Sequence, residues 1–395
     1  MKILFLTPRF PYPPLKGDQV IPFYRLKYLS KKHSISLLTF YQNAKELEYL
    51  REVDCFCEKV KYVKLSKFQS VLNVIFGGMI SGLPFQILYY KSSEFHKVLE
   101  EMIVGEKYDI IHTYMLRLAE YSKNITGHKI IDFIDSMQLN LQRRTLIEKY
   151  PKKLAVLEEL RRMAGYENIV TKYYDYGIVV SDNDRNQIKA ENIVSIPLGI
   201  DTDQFRPGPF LSDNKTIIFS GNMGYFPNEN SALWFIKHVF DCINREIPNV
   251  RFVIAGSNPS KKLRNLHDGR RIIVTGFVES IVDELQMAQL AVAPMQSGSG
   301  MQFKVLEAMS CGLPVVATSM GVGTISATNN VNIIIEDDPE PFAHACINLL
   351  KNYPLAKNIG DHARQLILDK YSWESHVDKV EVLYKSVMKE NVNKK

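Results

Sequence analysis

Twelve short apolar runs, six on either side of a proline- and glycine-rich break, constrain this chain more than any single motif. In the first half they are Ile3–Thr7, Ile35–Phe40, Lys61–Lys64, Ile110–His112, Lys129–Ile134 and Tyr176–Val180. In the second they are Thr216–Ser220, Arg251–Ala255, Ile272–Thr275, Leu290–Ala293, Val315–Thr318 and Asn332–Ile335. Helical stretches separate them. Strands that alternate with helices pair in parallel and are covered by those helices, so the fold class is α/β with two Rossmann-like domains. A chain of 395 residues also exceeds one ordinary hydrophobic core. The break, Ile196–Pro209, holds three prolines and two glycines and suits a hinge. The expected division is residues 1–196, a linker at 197–209, a second domain at 210–370 and an amphipathic final segment at 371–395.

At 46% hydrophobic and 23% charged, the composition is that of a globular enzyme. Met1–Pro8 is apolar for only about four residues, which predicts a first strand and not a signal peptide. Five cysteines without metal spacing point to reduced thiols, a cytoplasmic location and no metal site. Asp201-Thr202-Asp203 lies in the hinge and reads as a turn. The basic excess is confined to the first half: residues 1–200 carry 29 Lys/Arg against 22 Asp/Glu, the remainder 20 against 21. A solvated surface, an anionic inner-membrane face and a phosphate-bearing acceptor all remain open; nucleic acid is not an expected partner. Gln69–Tyr90 is strongly apolar, but Gly77, Gly78, Gly82 and Pro84 interrupt it, so a straight membrane span is excluded. Core packing and an interfacial patch are its two readings.

The chemistry concentrates in Gly298–Val316. Gly298-Ser299-Gly300 and Met301 form a small-residue loop that opens onto a helix carrying Lys304 and Glu307. Glycines permit close backbone approach, and helix N-termini attract anions. Lys304 and Glu307, three residues apart, share one helix face. A lysine there can neutralise a phosphate, and a carboxylate one turn further can accept from ribose hydroxyls. Gly221-Asn222 follows another predicted strand, and Gly17 follows the proline-rich turn after the first.

These residues also carry a resemblance. "KVLEAMSCGLPVV" resembles the donor-binding signature of retaining glycosyltransferases of family 4, which have the GT-B fold. "IIFSGNMGYFPNENSALWFI", "VRFVIAGSNP", "IIVTGFVESIVDEL" and "LAVAPM" fall in that family's order, and "PRFPYPPLKGDQV" resembles bacterial exopolysaccharide-cluster transferases. The resemblance implies two domains facing across a cleft, with the last helix crossing back to the N-terminal domain. It implies a metal-independent enzyme with a nucleotide-diphosphate sugar as donor substrate and no cofactor. The acceptor would be a glycan or lipid-linked, in exopolysaccharide or lipopolysaccharide synthesis.

By the same resemblance, the donor contacts would be Gly17, Gly221, Asn222, Gly276, Phe277, Val278, Gly298, Ser299, Gly300, Met301, Lys304 and Glu307. The last two, with His112 and Asp135, are the candidate catalytic residues. His112 reads equally as a core histidine, and Asp135 equally as a helix cap. Three departures stand out: Ser299 occupies the place of a donor-sugar glutamate, Tyr114 that of a histidine, and Asn228 and Asn230 that of a basic residue. A non-hydrolysing nucleotide-sugar epimerase and an inactive sugar-nucleotide-binding protein are the alternatives.

Overall fold

Each half of the chain forms a wholly parallel sheet in the computed structural model, which describes residues 1–14, 17–208, 215–297 and 301–390. The chain divides into two units: Met1–Leu198 together with the stretch from His376 onward, and Gly199–Ser375. In the first unit the strands are β1 (Lys2–Thr7), β2 (Ser34–Tyr41), β3 (Lys59–Lys64), β4 (Ile110–Tyr114), β5 (His128–Ile134), β6 (Tyr176–Val179) and β7 (Ile193–Ser195). Their order is β3-β2-β1-β4-β5-β6-β7. Six strands were expected here; the seventh, β7, has three residues and sits at the sheet edge, too short for any periodicity to register.

The inner strands, β1, β4 and β5 among them, are mostly apolar because both of their faces are covered, whereas the edge strand β3 carries Lys59, Lys61 and Lys64. Leu4 and Leu6 face a layer with Leu38, Phe40, Phe95 and Leu99. Phe5, one residue out of phase, faces the other way and stacks on the His112 ring at 4.6 Å. That second face holds a buried polar network. Arg25, from the helix Gly17–Leu29, pairs with Asp132 of β5. Its Nε donates to His376 Nε2 at 2.9 Å, and its Nη1 lies 3.2 Å from His112 Nε2. His112 Nδ1 in turn meets the Tyr384 hydroxyl at 2.6 Å. His376 and Tyr384 stand on the helix Trp373–Glu390, so this network docks the end of the chain on the first sheet.

The second unit is built from β8 (Thr216–Ser220), β9 (Arg251–Ala255), β10 (Ile272–Gly276), β11 (Leu290–Ala293), β12 (Val315–Ala317) and β13 (Ile334–Ile335), in the order β10-β9-β8-β11-β12-β13. Period-two alternation splits its core. Phe219, Phe252, Ile254 and Val292 face one layer. Ala255, Ala291, Ala293 and Ala317 face the other, with Val305, Leu306 and Met309 of the helix Phe303–Ser310. Small residues on that face let the helix approach the sheet closely.

The expected linker is partly absorbed into this second core. Ile200 and Phe205 are buried beside Tyr371, and the Ile200 amide donates to the Tyr371 carbonyl at 2.7 Å. Likewise the expected final segment, 371–395, changes unit at Ser375/His376. Apolar residues inside the proline-rich break account for the first difference, and the bonds of His376 and Tyr384 to Arg25 and His112 accompany the second. All five cysteines are free thiols.

Candidate functional site

In the second sheet the winding reverses between β8 and β11. Chain segments leaving neighbouring strands there turn to opposite faces and leave a crevice beyond the strand ends. Gly221 leaves β8 with φ of +145°, and a Cβ on it would stand 2.9 Å from Asn228 Nδ2 and 3.4 Å from Lys304 Cε. Gly256 leaves β9 with φ of +142°, and its Cβ would fall 1.9 Å from the Gly221 carbonyl oxygen. Both positions therefore require glycine. They keep the crevice open beside a lysine.

The crevice is a cavity of about 300 Å³ lined by Gly221, Asn222, Tyr225, Asn228, Lys304 and Glu307, with Met295, Met301, Gln302 and Phe303 completing it. Lys304 Nζ donates to Asn228 Oδ1 at 2.5 Å, lies 3.5 Å from Met295 Sδ and sits 5.1 Å from the centre of the Phe219 ring. Asn228 is itself oriented, donating through Nδ2 to the Asn222 carbonyl at 2.9 Å. These partners of the ammonium are neutral. Burial pulls Lys304 down to about 8, with Glu307 opposing the shift, and pushes Glu307 up to about 7, with Lys304 opposing. Desolvation outweighs their mutual attraction. A half-buried cation facing a cavity, without a tight carboxylate partner, is suited to an incoming anion.

Of the residues expected at a donor site, the structure brings together Gly221, Asn222, Met301, Lys304 and Glu307. Gly298, Ser299 and Gly300 lie outside the described residues. Gly276, Phe277 and Val278 do not line this cavity. Gly276 ends β10, two strands from β8, and Phe277 and Val278 follow it; the Gly276 carbonyl accepts from the Gly256 amide at 3.1 Å and the Phe277 side chain is 78% exposed. Asn228, Met295 and Phe219 as partners of Lys304 were not foreseen. Asn228 carries a signal in the sequence, since it stands where the resemblance places a basic residue.

Three expected residues belong to the first unit. Gly17 opens the helix Gly17–Leu29, its carbonyl 3.5 Å from the Tyr114 hydroxyl. His112 is completely buried between Arg25 and Tyr384, and burial holds its pKa well below the usual range, so the ring is a neutral core histidine. The structure thus places His112 in the buried network of the first unit. Asp135 is half-buried and raised, chiefly by burial and then by Asp184. It is not a helix cap: Ser136 caps Met137–Ile147, its hydroxyl accepting from the Leu139 amide at 3.2 Å. Asp201 Oδ1 accepts from the amides of Asp203 at 3.1 Å and Gln204 at 2.9 Å, which makes a turn of the Asp-x-Asp. Among the described residues, no cluster of three His, Cys, Asp or Glu side chains is placed to hold a metal.

Residues 214–352, which include all six strands of the second unit's sheet and the cavity lining, match the family model described as glycosyl transferases group 1. A protein from the cps region of Klebsiella pneumoniae, an uncharacterized 44.6 kDa chain, is 24% identical over 99% of this chain and 100% of its own length. Among solved structures, Anabaena HepE in complex with UDP aligns with a TM-score of 0.64 at 14% identity, over 98% of this chain and 100% of that one. A glycosyltransferase from Rickettsia africae aligns with a TM-score of 0.65 at 14% identity, over 98% of both chains. The shared fold is GT-B.

Proposed function

We propose that this chain is a family 4-like glycosyltransferase, a reading its motif order, matched region and fold support, and that the second-unit cavity holds the diphosphate of a nucleotide sugar. The observation that carries this reading is Lys304: a half-buried ammonium with pKa near 8, held by the neutral Asn228 at a strand-end crevice. Charge builds on the diphosphate as the glycosidic bond breaks, and a fixed cation in a poorly solvated site stabilises that charge. Glu307, on the same helix face, would accept from the ribose. Phe277, exposed beyond β10, offers a ring against which a base can stack.

In this reading the enzyme is retaining and metal-independent. The bond from the anomeric carbon to the diphosphate oxygen breaks, the acceptor hydroxyl oxygen bonds to that carbon on the same face, and its proton passes to the departing phosphate. This route needs no protein nucleophile. The acceptor is a glycan or a lipid-linked sugar in cell-surface polysaccharide synthesis; the Klebsiella relative's origin in a cps region supports that setting.

The test is transfer from a panel of nucleotide-diphosphate sugars, with UDP sugars first because the Anabaena protein of shared fold was solved with UDP. Release of nucleoside diphosphate with a new α-linked product from an α-linked donor supports the proposal. Interconversion of free donor sugars would indicate an epimerase, and binding without turnover on any acceptor an inactive binding protein.

A further inference from the structure

The helix Lys67–Ile80 turns its apolar side outward. Of its 14 residues only Ser70 is buried. Phe68 is 75% exposed, Phe76 57%, Met79 71% and Ile80 87%, with Val71 and Ile75 about half exposed. The less exposed positions are the buried Ser70 and the half-buried Leu72, Asn73, Val74, Gly77 and Gly78. Asn73 donates to the Lys91 carbonyl at 2.7 Å. A Cβ on Gly77 would stand 2.9 Å from Leu88, and one on Gly78 3.0 Å from Phe85. Surface helices of globular proteins show the reverse pattern.

This exposure is built into the fold. Ser66 caps the helix, and Arg162 holds its C-terminal end through the carbonyls of Gly78 at 2.7 Å, Ser81 at 2.8 Å and Leu83 at 3.1 Å. A held, contiguous apolar face marks an interaction surface.

The charge around the face selects its partner. No acidic residue occurs between Glu58 and Glu94, while Lys59, Lys61, Lys64, Lys67 and Lys91 all fall in that interval. The first three lie on β3, the edge of the sheet, where lysines also discourage strand pairing. Edge protection does not explain the helix. Lys64 and Lys91 further line a cavity of about 700 Å³ beside it, with Gln69, Asn73, Ser92 and Glu94 among its walls.

We infer that this face of the first unit docks on an anionic lipid surface, the apolar side of Lys67–Ile80 lying at the headgroup boundary and the lysines meeting lipid phosphates. A second copy of the chain is disfavoured, because a two-fold contact would set two lysine-rich faces against each other. Spanning is excluded as well, since a crossing needs about 20 residues. The inference is independent of the donor site.

The experiment is co-sedimentation of the full-length protein with large vesicles of phosphatidylglycerol and, separately, of phosphatidylcholine. Retention on the first should exceed that on the second by at least about tenfold. Phe76→Ser/Ile80→Ser should lower partitioning onto phosphatidylglycerol by at least about tenfold, and Lys64→Ser by about fivefold. Cooperative unfolding at the wild-type midpoint reports that each variant is folded. Phe68→Ser alone, at a position more exposed than Phe76, carries the same direction of effect if the double variant is unstable. Absence of wild-type retention, or equal retention on both lipids, overturns the inference. So does lipid-free dimerisation that the Phe76/Ile80 replacements abolish.

Discussion

Arg25 in the first unit and Lys304 in the second are both cations withdrawn from water behind a parallel sheet, yet their surroundings differ in kind. Arg25 has a completely buried carboxylate partner in Asp132, flanked by His112 and His376, and the chain's last helix seals the cluster. Burial lowers its pKa to about 10, and it remains charged at every physiological pH. Lys304 has the neutral Asn228, a thioether and an aromatic face, beside an open cavity of about 300 Å³. Its pKa falls to about 8, within reach of ordinary conditions. Two similar sheets thus use a buried cation in two ways. One is neutralised internally and holds the fold, while the other faces an open cavity and, in the proposed function, meets charge that arrives from outside.

Removing Arg25 should produce the largest effect. Arg25→Met leaves Asp132 as an uncompensated buried charge, which costs roughly 3–5 kcal/mol of stability. Urea unfolding measures it. A loss below about 1 kcal/mol would mean that the network is incidental. The folded fraction should still bind nucleotide with wild-type affinity.

Lys304→Ala should do the opposite: unchanged unfolding, with nucleoside-diphosphate affinity reduced by about a hundredfold or more, corresponding to roughly 3 kcal/mol. Calorimetric titration separates the two outcomes. Equal affinity in variant and wild type would break the comparison at its functional end.

Glu307→Gln sharpens it further through pH. Lys304 must be protonated to meet the diphosphate, so wild-type affinity is lost as pH rises through about 8. Glu307 must be ionised to accept from ribose, so affinity is also lost as pH falls through about 7. The variant should lose the acid limb and keep the alkaline one. The smallest effect is expected from Phe277→Ala, about three- to tenfold in affinity, because a single aromatic stack contributes of order 1 kcal/mol.

Much of this fold could be read from the chain. Apolar runs such as Thr216–Ser220 and Leu290–Ala293 became strands with the expected limits, because buried parallel strands are continuously apolar. Ile193–Ser195 is not legible as a strand, since three residues show no period. At the site, Lys304 and Glu307 were legible from their spacing on one helix. The pairing of Lys304 with Asn228 was not, because it joins residues 76 positions apart through a glycine turn. His112 shows the converse difficulty. A histidine at a strand end looks the same in sequence whether it faces a ligand or, as here, the hydroxyl of Tyr384, 272 positions away.

The most direct test of the Lys304 assignment is proton uptake on nucleotide binding. A nucleoside diphosphate that binds wild type should be titrated at pH 8.5 in buffers of different ionisation enthalpy. With Lys304 near 8 in the free protein, about three-quarters of the sites are unprotonated there and must take up a proton to meet the anion. The account predicts uptake of more than about half a proton per nucleotide at pH 8.5, and none of that uptake in Lys304→Ala at concentrations that still saturate it. Binding without proton linkage, or with the same linkage in both proteins, would contradict it.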